Sequence, residues 1–156
     1  MAARVLLIND RGETLLFEEH DPSRPDEPSW WITPGGGLEA GETFVQAAFR
    51  ELEEETGQRA DELYGPVSTH EFEYSYLGVS TRQFEYFFVA YTKDTSLSFD
   101  RWTPLEQTVT RTARWWSFSE IKTTEATVFP PDLSQLLLLS TSSPALQQLP
   151  PIARQV

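Results

Sequence analysis

The sequence predicts one mixed α/β domain, and three observations carry that expectation. Short apolar and aromatic runs alternate with turn residues, a strongly patterned helix lies between Thr43 and Gly57, and 156 residues suit a single core. Val5 to Ile8 is an apolar run that stops at the turn cluster Asn9-Asp10-Arg11-Gly12, and Thr14 to Phe17 resumes it, which is the pattern of a hairpin. His20 to Ser29 carries three prolines among Asp, Glu and Arg, so it reads as an exposed loop. Trp30-Trp31-Ile32 is a short strand leading into Pro34 and a loop of three glycines, Gly35, Gly36 and Gly37. Thr43 is the expected N-cap of the helix and Gly57 its stop, with Phe44, Ala47, Ala48 and Leu52 at helical spacing.

Beyond the helix, Phe72, Tyr74 and Tyr76 alternate with polar residues, Gly78 breaks the run, and Arg82 to Tyr91 follows as an antiparallel neighbour. Lys93 to Gln107 reads as loop and Arg114 to Trp116 as a short strand. Ser117 or Ser119 is expected to cap a brief helix through Ile121, and Asp132 a last helix over Leu133 to Leu139. Residues 1–140 are expected to form the domain. Residues 141–156, rich in Pro, Ser and Gln, are expected to be a loosely ordered tail.

Composition removes several function classes. Twelve basic residues against 24 acidic ones give a net charge of −12, which opposes wrapping of a nucleic-acid duplex or docking on anionic lipid. The absence of cysteine excludes a disulfide scaffold, a thiol nucleophile and Cys-ligated zinc or iron–sulfur sites. No apolar run approaches the length of a membrane span or signal-peptide core, so the expected location is the cytoplasm.

Chemistry concentrates on the helix. Glu51, Glu54 and Glu55 share one arc of about 100° on the same side as Phe44, Ala47 and Ala48, whereas Glu53 points the opposite way. Three like charges continuing a core-directed face cost about 0.2–0.5 kcal/mol per close pair before desolvation, and they lie at the helix end where the dipole disfavours anions. Something positive is expected to compensate. An oxygen-only donor set suits magnesium or manganese better than zinc.

Gly36, Glu42, Arg50, Glu51, Leu52, Glu54, Glu55 and Gly57 fall without a gap on the signature G-x5-E-x7-R-E-U-x-E-E-x-G-U, where U is bulky and aliphatic. By this the chain resembles the Nudix hydrolases, the MutT-like family; Gln58 at the final U is the one departure. The resemblance implies an α/β/α sandwich with a mixed central sheet, and hydrolysis of a nucleoside diphosphate linked to another group. Nucleoside triphosphates, dinucleoside polyphosphates and ADP-ribose are the substrate types in view. It further implies that Glu51, Glu54 and Glu55 hold magnesium or manganese with a carbonyl from the Gly35 to Gly37 loop, foremost Gly35. Arg50 would orient one of the carboxylates, and Glu42, Gly36, Gly37 and Gly57 would support the motif. The alternative is a catalytically weak domain of the same family that senses a nucleotide or a partner.

The general base is expected to be Glu51, with two candidates outside the helix. Glu85 lies in a strand with Phe87, Val89 and Tyr91 on its face, an odd place for a charge unless it meets the metal site. Glu106 lies in the loop before Trp115. Trp31, Tyr74 and Tyr76 are candidates for contact with the substrate, although adjacent tryptophans in a strand place one of each pair in the core. His20 and His70 receive no role. The partner is expected to be a small nucleotide, and the chain a monomer or homodimer.

Overall fold

A computed structural model describes residues 1–142 and 144–155, with the side chains at 74, 76, 111, 144 and 145 outside that description. Its first strand, β1 (Ala2–Ile8), is buried at every position except Arg4, and this explains the unbroken apolar run. Asn9 Oδ1 accepts from the backbone of Arg11 and Glu13, and Gly12 takes φ +74°, so the chain reverses into β2 (Thr14–Glu19). The two strands share only the pair Ile8 and Thr14. Past that point β2 takes β3 (Trp30–Ile32) on one side, while β1 takes β4 (Gly35–Gly37). The glycine segment expected as a loop is therefore a short strand, because β1 offers it a free edge once β2 has turned away.

The helix α1 (Phe44–Thr56) begins at Thr43, whose hydroxyl accepts from Gln46 N while the Gln46 side chain returns to the Thr43 backbone. It ends at Gly57, left-handed at φ +74°. The strands β5 (Glu62–Tyr76) and β6 (Val79–Tyr91) form one long hairpin, and β6 lies parallel to β1 from Ala2 beside Glu85 to Ile8 beside Tyr91. Then come α2 (Pro104–Val109), β7 (Thr110–Trp116) paired with β2, α3 (Phe118–Thr123) capped by Ser117, and β8 (Thr127–Phe129) parallel to β3. The end of the chain holds α4 (Leu133–Ser142), α5 (Pro144–Gln148) and β9 (Ile152–Ala153).

Two cores separate the layers. Ala47, Ala48 and Leu52 of α1 pack on Val5, Leu7, Leu15 and Phe88, while Leu133, Leu136 and Leu137 of α4 pack on Leu6, Leu16, Phe87 and Val89 from the other face. The mixed sheet between them makes the expected α/β/α sandwich.

One expectation needs correction. Lys93 to Gln107 is not all loop, since Thr103, Pro104 and Glu106 build a capping box that starts α2. Among the described residues past 140, three contacts tie the chain to the domain. Leu146 is buried in the second core, β9 pairs with β5, and the Arg154 guanidinium reaches the Ala60 carbonyl and Glu53, each at 2.9 Å.

Candidate active site

The charged residues gather where β1 and β2 part. Arg50 is their hub. Its Nε and Nη2 donate to the two oxygens of Glu42 at 2.7 and 2.8 Å, its Nη1 to Glu51 at 2.8 Å and Glu54 at 3.2 Å, and its Nη2 also to the Gly37 carbonyl at 3.0 Å. The hydrogen bond from Arg50 holds the Glu42 carboxyl below its usual range, and the same contact leads those raising the Arg50 pKa. One arginine therefore gathers three carboxylates where the sequence suggested one. The compensation expected for Glu51 and Glu54 is partly internal to the chain.

Glu55 stands apart from that hub. Its Oε2 accepts from Gly35 N at 2.9 Å. Desolvation pushes its carboxyl well above the usual range, Glu51 adds repulsion, and the Gly35 N–H and Arg4 pull the other way. Desolvation also raises Glu51, against the opposing pull of Arg50. A carboxylate rests over a bare backbone here: a Cβ placed on Gly36 would come within 2.6 Å of Glu51 Oε1. Gly36 thus makes the room in which Glu51 lies.

The donors fit a hard divalent cation, being carboxylate and carbonyl oxygens with a surplus of negative charge around Glu55. Among the described residues no three carboxylates or imidazoles converge closely enough to hold an ion as they stand.

Of the outlying candidates, Glu85 is 2% exposed, and its two oxygens face Arg4 Nε at 2.9 Å and Nη2 at 3.5 Å. The odd strand charge is explained by an arginine on the neighbouring strand. Glu106 is tied into the cap of α2, its Oε1 accepting from Thr103 N at 2.9 Å, yet its charge still presses on Glu51 and Glu19. Trp31 is not a free stacking platform: it meets Trp116 edge-on at 5.1 Å and packs against the second core. Tyr74 and Tyr76 lie on β5, with side chains outside the described ones. His20 bonds the Val109 carbonyl through Nδ1, and His70 lies 3.0 Å from Asp132.

Two charged residues in the cleft escaped the sequence reading. Arg4 could have been found as the lone charge in an apolar run. Glu19 has no local signal; it ends β2 beside Arg4 and Trp30, and desolvation raises its carboxyl while the Arg4 charge and the Trp30 side chain oppose the shift.

A family model described as NUDIX domain matches residues 1–137. The chain belongs to the NUDIX family. The RNA pyrophosphohydrolase of Rhodospirillum rubrum is 43% identical over 61 residues, covering 39% of the chain and 34% of that relative. The RNA pyrophosphohydrolase of Erythrobacter litoralis is 61% identical over 59 residues, covering 38% of the chain and 34% of the relative. The chain thus spans about a third of the length of these curated relatives. A NUDIX hydrolase from Nitrosomonas europaea superposes with a TM-score of 0.56 at 25% identity, over 88% of the chain and 84% of that structure. Nudix hydrolases generally use divalent metal ions and act on small nucleotides. None of the described helices is long and apolar enough to cross a membrane.

Proposed function

We propose that the chain is a magnesium- or manganese-dependent pyrophosphohydrolase that cleaves a phosphoanhydride bond in a nucleoside diphosphate linked to a further group. One observation carries the reading: Arg50 binds Glu42, Glu51, Glu54 and the Gly37 carbonyl while Glu55 meets Gly35 N, so both groups of signature carboxylates are attached to the one glycine strand β4. Glu51, Glu54, Glu55 and the Gly35 carbonyl would hold the ion. Bound there, the ion supplies neutralisation of the pyrophosphate oxygens and a lowered pKa for the attacking water.

The protein residues do the rest. Glu42 anchors Arg50 through both carboxylate oxygens, so Arg50 presents Glu51 and Glu54 from a fixed base. Glu51, partly buried on the carboxylate face and held by Arg50 at 2.8 Å, is the first choice for general base. Glu106, whose charge is felt by Glu51, is the second choice. Glu85 ranks behind both, because Arg4 already engages its carboxylate. The substrate is a small nucleotide, and the acting species a monomer or homodimer.

The test is a panel of nucleoside triphosphates, dinucleoside polyphosphates, ADP-ribose and nucleotide sugars, assayed with magnesium and with manganese. RNA with a 5′-phosphoanhydride end joins the panel because both relatives are named RNA pyrophosphohydrolase. The expected result is metal-dependent cleavage of at least one member, lost in Glu54→Gln. Cleavage of none, or cleavage indifferent to Glu54→Gln, refutes the proposal. Tight nucleotide binding without turnover would instead favour a sensor.

A further inference from the structure

We infer that Arg4, outside the Nudix signature, is a positioning residue that sets the Gly35 carbonyl and, through Gly35, the Glu55 carboxylate. This inference rests on the metallohydrolase reading proposed above. In register, Arg4 on β1 lies directly opposite Gly35 on β4. Its Nη1 donates to the carbonyls of Thr33 at 3.2 Å and Gly35 at 3.1 Å, while Nε donates to Glu85 at 2.9 Å. From the same glycine, the N–H reaches Glu55 at 2.9 Å. A continuous path therefore runs from Glu85 through Arg4 and Gly35 to a carboxylate proposed to hold the ion.

Several features favour positioning over a merely structural ion pair. The Arg4 and Glu85 side chains are 14% and 2% exposed, so water competes little for either partner. A planar fork with its donors shared between one carboxylate and two carbonyls leaves few ways to move. The Gly35 carbonyl, with one lone pair given to Arg4, keeps a second for a cation. Contact between the two strands is close enough that a Cβ on Gly35 would fall 2.2 Å from the Ala3 carbonyl oxygen and 2.8 Å from Arg4 Cδ. The arginine and the glycine thus fix each other's place.

The experiment measures Mn2+ binding to the full chain by calorimetry or electron paramagnetic resonance, with no nucleotide, beside thermal melting. Glu54→Gln is run first as a control that should abolish the wild-type Mn2+ signal. Lysine keeps the charge but cannot serve Glu85 and both carbonyls at once. Arg4→Lys is therefore expected to fold and to bind Mn2+ about 10–100-fold more weakly, the usual effect of losing a group that orients a ligand. With substrate, kcat should fall while KM holds. Glu85→Gln frees the far end of the same path and should weaken Mn2+ in the same direction, which keeps the test open if Arg4→Lys does not fold. A wild-type chain that binds no Mn2+ overturns the metallohydrolase reading and this inference with it. A wild-type chain that binds Mn2+, beside a folded Arg4→Lys or Glu85→Gln that binds it equally well, overturns the inference alone.

Discussion

Adjacent glycines of β4 should respond to alanine in opposite ways. At Gly36 the three atoms nearest the new methyl all belong to the Glu51 carboxylate, with Oε1 at 2.6 Å, Cδ at 2.8 Å and Oε2 at 3.0 Å. Ordinary contact begins near 3.4 Å, so Oε1 must retreat by about 0.8 Å. That end of the side chain can yield by rotating away from Arg50, so the fold should lose the Arg50–Glu51 hydrogen bond, about 0.5–1.5 kcal/mol. A displacement near 1 Å at a reacting group, however, costs about 100-fold in rate. At Gly35 the clash is with backbone, and φ is +145°, where a side chain is strained at a cost of about 1–3 kcal/mol before the overlap is counted. Melting temperatures and turnover measured on both variants separate the effects. Gly36→Ala should melt within about 5 °C of wild type with turnover about 100-fold down, whereas Gly35→Ala should melt much lower or fail to fold. A Gly36→Ala variant with wild-type turnover, or one as unstable as Gly35→Ala, would refute the idea that Gly36 exists to house Glu51.

Further expectations concern the carboxylates and the tail. Glu55→Gln removes a desolvated charge that repels Glu51, so the metal-free protein should melt higher while turnover falls by about 100-fold or more, as melting in a chelator and an activity assay would read. Because the folded Glu55 pKa is raised, its stabilising contribution is full below the ordinary carboxylate value and is lost as pH rises through the raised one. Metal-free melting temperatures should therefore decline across that window while Mn2+ affinity climbs, and Glu55→Gln should flatten both trends. Glu42 works in the opposite sense, since its pKa is lowered and its contribution disappears on acidification. Arg154→Ala should cost about 1–3 kcal/mol, seen as a lower melting temperature with turnover unchanged, because Arg154 contacts Glu53 and Ala60 rather than the site.

Features written in local chemistry were legible from sequence. The Thr43 cap and the Gly57 stop each depend on residues within a turn or so of one another, and the structure carries both. The box that starts α2 was equally local, and Thr103, Pro104 and Glu106 could have revealed it. What stayed hidden depends on partners distant in the chain. Trp31 reads as a stacking surface until Trp116 is brought against it, and Glu85 reads as a stray charge until Arg4, 81 residues earlier, appears beside it. The described part of the tail obeys the same rule. Its composition resembles that of a solvated segment, and only the edge of β5 and the surface of α1 turn Ile152 and Arg154 into anchors.

The parting of β1 from β2 also bears on how wide the site can open. Backbone hydrogen bonds resist shear along a ladder, but these strands share only the pair Ile8 and Thr14, and past it each is zipped to a different neighbour. Spreading them apart at the charged end therefore breaks no rung of the sheet. What ties the two sides there is the two-residue link Thr33–Pro34 between β3 and β4, held to β1 by Val5 N donating to the Pro34 carbonyl at 2.9 Å. The opening between β1 and β2 is thus uncoupled from the ladders each makes with β6 and β7, while β4, packed on the Ala3 and Arg4 backbone at Gly35, admits no added bulk.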